Sequence, residues 1–197
     1  MSIKHFLELL LLSALWGASF IFMRIAAPEF GATNLAVLRI VIAAITLLPL
    51  LYFIGKPYLQ DQDNKVGVLV QVTLVGIGNS VVPFLLFAYA AMNINAGLLS
   101  IINATTPLWG ALFGMLILSN KLVRSGYLGL ALGFAGIILL SEHKLTGEID
   151  AELLSILAVL TATCLYGIAT NYSKRFLVGV PPMFIASGTM AGSALVM

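Results

Sequence analysis

Runs of about 20 apolar residues, the length a helix rising 1.5 Å per residue needs to cross a bilayer, constrain this chain more than any motif in it. Six such runs occur, at residues 6–27, 32–54, 66–90, 95–118, 123–141 and 152–172, and a seventh starts at 181. Between them stand polar or helix-breaking connectors: Gly55-Lys56-Pro57, Asp61-Gln62-Asp63-Asn64-Lys65 and Ser141-Glu142-His143-Lys144. Only 9% of the 197 residues are charged, against roughly 25% in an ordinary soluble domain. That deficit excludes a soluble globular domain and a disordered chain. The net charge of +2 balances 10 basic against 8 acidic residues and forms no basic patch for nucleic acid. A single cysteine, Cys164, excludes an intrachain disulfide framework and a multi-cysteine zinc site. The expected fold class is all-α, a polytopic membrane helix bundle, with the lipid bilayer as its surroundings.

Orientation follows from the basic residues. With the N-terminus in the cytoplasm, Lys4, Lys56, Lys65, Lys121, Arg124, Lys174 and Arg175 fall in cytoplasmic segments, which leaves only Arg24, Lys144 and the intramembrane Arg39 elsewhere. The positive-inside rule selects that orientation. Lys4, the run from Phe6 to Leu15 and the small residues Gly17-Ala18-Ser19 imitate a cleaved signal peptide. The apolar run continues to Ala27, however, so a retained helix is expected.

An internal repeat is visible at an ungapped offset of 150. It pairs Trp16-Gly17 with Tyr166-Gly167, Ser13 with Thr163, Leu15 with Leu165, Arg24 with Lys174 and Ala36 with Ala186. One unit then covers residues 1–150 with five spans, and a second starts at 151. An odd span number turns the second unit upside down, the inverted-repeat arrangement of secondary transporters. By this register Met197 matches Leu47, and about 100 further residues carrying three more spans would complete the second unit.

Several motifs carry a resemblance: Leu-Trp-Gly-Ala-Ser-Phe (15–20), Leu38-Arg39, Ala-Thr-Thr-Pro-Leu-Trp (104–109), and Gly-Leu-Ala-Leu-Gly-Phe-Ala-Gly (129–136). In their order and spacing the chain resembles the drug/metabolite transporter superfamily, specifically EamA-type carriers built from two five-helix repeats, in a C-terminally truncated form. The family usually carries an acid just after the fourth helix, where this sequence has Asn120-Lys121. The resemblance implies a bacterial inner (plasma) membrane carrier of small metabolites, such as amino acids or related amphipathic compounds, working by alternating access and needing no cofactor or metal.

The residues themselves point to a mid-depth locus. Pro83 lies four positions after Asn79, and Pro107 four after Asn103. A proline withholds the hydrogen bond owed to the carbonyl at i−4, so each freed carbonyl belongs to an asparagine. Helical spacing extends these into two stripes: Gly76, Asn79/Ser80, Pro83 and Phe87; and Ala96, Ser100, Asn103, Pro107, Gly110 and Gly114. Two readings stand side by side. Irregular, polar backbone at membrane depth lines a cavity, or the asparagines glue packed helices. On the first reading Trp16, Asn79, Pro83, Asn103, Thr106, Pro107, Trp109 and Tyr166 bind substrate, the aromatic rings acting as flat walls with one polar handle each. Tyr89, near a span end, reads as an interfacial anchor.

Arg39 lies about 10 Å into the second span at 1.5 Å per residue. It either clamps structure, by snorkelling or by bonding helix-end carbonyls, or meets a carboxylate or phosphate of a substrate. Gly129, Gly133 and Gly136 form a small-residue stripe for close helix packing, within the chain or in a homodimer. Enzyme chemistry finds no footing: no HExxH, nucleophile elbow, phosphate loop or zinc spacing occurs. His5 and His143 flank spans, and Glu8 and Glu29 lie near span ends. The competing class is a non-transporting membrane fragment, or a subunit that needs another chain to complete the bundle.

Overall fold

The computed structural model describes residues 2–145 and 150–197, with the side chains of residues 140–145 outside that description. The described chain forms α1 (Ile3–Phe30), α2 (Ala32–Leu50), α3 (Lys56–Gln60), α4 (Lys65–Gly76), α5 (Val82–Asn93), α6 (Ala96–Asn103), α7 (Thr106–Leu118), α8 (Arg124–Leu145), α9 (Ala151–Phe176) and α10 (Pro182–Val196). Two five-residue π-helical turns, Leu51–Gly55 and Ile77–Val81, carry α2 into α3 and α4 into α5. Among the described residues, five helical stretches are long and apolar enough to cross a membrane: Ile3–Phe30, Ala32–Gln60, Lys65–Asn93, Ala96–Leu118 and Ala151–Phe176. Arg124–Leu139 and Pro182–Val196 are shorter apolar helices. An all-α polytopic membrane bundle results, and the chain is an integral membrane protein.

Polar connector residues serve as helix caps. Asn64 Oδ1 accepts from the Gly67 N–H at 2.8 Å, Asn95 Oδ1 from Leu98 at 2.9 Å and Asp150 Oδ1 from Leu153 at 2.8 Å, each satisfying a first-turn donor that the helix cannot. One expected break is absent. Ser141-Glu142-His143-Lys144 continues α8 as helix to Leu145, because polarity alone, without proline or glycine, does not stop a helix. The expected unit boundary at 150/151 adjoins residues 146–149, which lie outside the described residues. α1 runs unbroken through Gly17-Ala18-Ser19, as a retained helix requires.

Side-chain contacts fix the directions of the helices. Phe20 meets Phe87 at 6.0 Å between ring centroids, and Arg24 reaches the carbonyls of Ala91 and Met92, so α1 runs parallel to α5. Phe87 stacks on Tyr166, and Gly78 faces Ala169, so α9 runs antiparallel to the α4–α5 span. It is therefore antiparallel to α1 as well. Thr105 pairs with Thr163, and Gly110 with Asn171, which makes α7 and α9 parallel neighbours. One apolar core gathers Phe20, Phe87, Leu99, Ile102 and Val159 between α1, α5, α6 and α9. A second gathers Val72, Val75, Leu177 and Phe184. The first half of α1 is exposed apolar surface, the face such a chain turns to lipid.

Close approach of one helix to the backbone of another rests on glycines outside the expected stripe. A Cβ on Gly167 would sit 2.8 Å from the Trp109 carbonyl carbon, and one on Gly76 would sit 2.5 Å from the Thr189 carbonyl oxygen. Gly192 stands as near to Thr73. In the expected stripe, Gly133 meets Leu108, while Gly129 and Gly136 face open space. Placing small residues in a seam lets backbones approach and gain dispersion contact where lipid offers no hydrophobic drive. Gly167→Leu is expected to lower unfolding free energy by about 1–3 kcal/mol, the cost of overpacking, in chemical denaturation in detergent micelles followed by circular dichroism. Gly129→Ala is expected to be neutral or stabilising by up to about 1 kcal/mol through helix propensity. Equal losses in both variants would contradict the seam assignment.

Candidate functional site

Each of the two asparagine–proline pairs lies where its span departs from the α-helix. In the third span, Pro83 has no N–H to give the Asn79 carbonyl, and the backbone widens into the π turn Ile77–Val81, whose bond runs from the Val82 N–H to the Ile77 carbonyl. In the fourth, the helix ends at Asn103 and restarts at Thr106 across Ala104 and Thr105. There the Thr106 hydroxyl donates to the Asn103 carbonyl at 2.8 Å and replaces the bond that Pro107 cannot make. Thr105, buried on the other side of the break, joins Thr163 of α9 at 3.0 Å between hydroxyl oxygens.

Both asparagines line one cavity of about 550 Å³, together with Trp16, Phe84, Ala104, Thr106, Pro107, Tyr166, Thr170 and Met190. A second cavity of about 320 Å³ adjoins it, sharing Trp16, Phe84, Asn103 and Tyr166, and adds Arg39, Met23, Phe20 and Phe87. The four shared residues make the two volumes one crevice between α1, α2, α5, α6, α7 and α9, with α10 touching it at Met190. Trp16 stands on its rim, 56% exposed. The lining has aromatic flats, amides, hydroxyls and one guanidinium, and among the described residues no carboxylate lines either cavity.

Two residues of the expected set lie elsewhere. Pro83 is fully buried; it shapes the turn without facing the crevice. Trp109 packs edge-on to Phe134 at 5.0 Å and stacks near Phe113, in the seam between α7, α8 and α9, with its indole N–H buried and without an acceptor among the described residues. The expected stripes also change. One extra residue in a π turn shifts the helical register, so Asn79 shares its cavity with Phe84, five positions on, while Gly76 and Ser80 are buried. After the break in the fourth span, Gly114 faces Asn171 of α9, whose Nδ2 donates to the Gly110 carbonyl at 2.9 Å, while the Cβ side of Gly110 meets open space.

Sequence reasoning missed the residues that hold the crevice walls. Asn171 also bonds the Gly167 carbonyl at 2.8 Å and thereby staples α9 to α7 beside the close approach of Gly167 to the Trp109 backbone. Its signal was present: a lone amide four residues after a glycine inside an apolar span. Arg24 donates to both Ala91 and Met92 carbonyls at 2.7 Å, and Arg175 donates to the Ile117 carbonyl. Each cation thus satisfies orphan carbonyls at a neighbouring helix C-terminus. Asn171→Leu is expected to cost about 1 kcal/mol of unfolding free energy, the scale of an interhelical hydrogen bond in a membrane. Denaturant titration of the purified protein reads this, and an unchanged midpoint would remove the staple.

The EamA-like transporter family matches residues 5–142. The chain is 25% identical over 185 residues to an uncharacterized inner membrane transporter, YedA, of Escherichia coli K12, covering 93% of this chain and 57% of that protein. It is 28% identical over 168 residues to an uncharacterized transporter of Buchnera aphidicola, covering 84% of this chain and 53% of that one. A probable amino-acid metabolite efflux pump of Escherichia coli K12 is 24% identical over 215 residues, covering 98% and 67%. The chain therefore spans between about half and two-thirds of the length of these curated relatives. No solved structure matches it. Its helical membrane bundle and the match over residues 5–142 together identify the chain as a member of the EamA-like transporter family.

Proposed function

We propose that the protein is a carrier of small amphipathic metabolites, amino acids or related compounds, in a bacterial inner (plasma) membrane, with its N-terminus cytoplasmic. Residues 1–150 form one five-helix repeat, and the chain from 151 starts a second, inverted copy. The observation that carries this reading is the convergence of Asn79 and Asn103, each at a break in its span, on one crevice completed by Tyr166 of α9. Two further facts support it. α9 runs antiparallel to α1, the direction an inverted copy needs, and one relative is named as an amino-acid metabolite efflux pump.

In this mechanism Asn79, Asn103 and the Thr106 hydroxyl offer polar contacts, and Trp16, Phe84 and Tyr166 supply flat apolar walls for the rest of the molecule. Site polarity is held at the helix breaks, where backbone already departs from regular bonding, so rocking of one repeat against the other exposes the crevice to each side in turn. Neither step calls for covalent chemistry.

Flux through proteoliposomes, measured over a panel of radiolabelled amino acids and related metabolites, tests the proposal. Asn103→Leu is expected to lower kcat/KM about tenfold, the scale of one lost hydrogen bond to a buried polar group. Trp109→Phe, outside the crevice, is expected to keep flux within about twofold, the scale of a substitution that touches no substrate contact. Unaltered flux in Asn103→Leu and Asn79→Leu contradicts the site. Absence of flux for the whole panel contradicts the carrier reading and favours a non-transporting subunit.

A further inference from the structure

Three arginines of the spans meet different fates. Arg24 and Arg175 donate to helix-end carbonyls, the structural clamp expected of a cation near a helix C-terminus. Arg39 does neither this nor any ion pairing among the described residues. Its guanidinium donates one hydrogen bond, from Nη1 to Met23 Sδ at 2.8 Å, and its carbon lies 4.2 Å from the centroid of the Phe84 ring. A thioether is a weak acceptor, and a guanidinium carries five N–H donors, so most of its bonding capacity is unused among the described residues, at the edge of the 320 Å³ cavity that it lines. The eighth residue of α2, it is set in the bundle with an unneutralised charge. Intramembrane cations of that kind mark ligand paths or counter-ions.

The surroundings narrow the ligand. Phe20, Phe84 and Phe87 make the cavity wall beside Arg39 apolar and aromatic, and Asn103 and Tyr166 provide the polar atoms opposite. One guanidinium with no second cation in the lining matches one negative charge; its planar fork fits a carboxylate bidentately, whereas a phosphate dianion would keep an unpaired charge. We propose that Arg39 anchors the carboxylate of the carried molecule, whose apolar part lies against the three phenylalanines, so that the substrate class is small monocarboxylates with an aromatic or aliphatic body. Met23 takes one donor and Phe84 stacks on the guanidinium face, which holds the group in place between ligands and leaves its other donors for a carboxylate. This rests on the carrier reading and specifies it.

The test uses the near-isosteric probes 3-phenylpropionate and 3-phenylpropionamide, which differ in charge and in one carboxylate oxygen replaced by an NH2 donor. Binding is read by the emission of Trp16 in protein carrying Trp109→Phe, since the chain has two tryptophans. The acid is expected to bind about 10- to 100-fold more tightly than the amide, the range for hydrogen bonds to a charged group. Arg39→Gln is expected to abolish the preference and Arg39→Lys to retain part of it. Equal binding of acid and amide to protein with Arg39 intact, or an acid preference that survives Arg39→Gln, overturns the anchor and leaves the crevice as a neutral binding site. Binding of neither probe overturns it as well, while the flux panel still judges the carrier reading. An acid preference without flux of any panel member keeps the anchor and removes the carrier.

Discussion

Backbone hydrogen bonding in hydrocarbon is the constraint on which everything else in this structure depends. A bilayer gives no partner to a free N–H or C=O, so a spanning segment closes its bonds internally or is irregular only where protein or an aqueous cavity can receive it. Two of the five long spans are irregular at mid-length, at Ile77–Val81 and at Ala104–Thr105, and both irregularities border the same crevice. At one of them the Thr106 hydroxyl bonds the Asn103 carbonyl, a local side-chain solution that leaves the Asn103 amide free for the cavity.

Holding such a crevice open requires rigid neighbours, and two seams provide them. Along α7 and α9, Gly167 admits the Trp109 backbone, Asn171 bonds two carbonyls, and Thr105 meets Thr163. Between α4 and α10, Gly76 and Gly192 lie against Thr189 and Thr73. Arg24 and Arg175 close the ends of α5 and α7. All of these contacts are short-range packing or hydrogen bonds, the two forces available between helices in lipid.

Much of this was legible in the residues, and the exceptions have physical causes. Spans, the asparagine–proline coincidence and the aromatic rims of Trp16 and Tyr166 are properties of local sequence, and they place the crevice. Helical register past a break is not local. A π turn adds one residue to the count, so Phe84, five positions after Asn79, lines the cavity with it. A stripe of glycines reads the same whether it meets a neighbour or open space: Gly133 meets Leu108 while Gly129 and Gly136 of the same stripe meet nothing, and Gly188 and Gly192, at the same spacing in α10, meet Val72 and Thr73. Trp109 carries a site-like residue type in a site-like motif, yet the restart of the helix at Thr106 turns it toward Phe113 and Phe134. Residue type alone does not report that rotation.

A water-filled hollow shared by two broken spans is the centre of the account, and cysteine accessibility in the intact membrane tests it most directly. In a Cys164→Ser background, Asn79→Cys and Asn103→Cys should each react with a water-soluble, membrane-impermeant maleimide, while Ile102→Cys, buried one residue away from Asn103, should stay unlabelled over the same time. Unreactive thiols at both asparagine positions, or labelling at 102 as fast as at 103, would place those side chains in lipid or in a dry helix seam and contradict it.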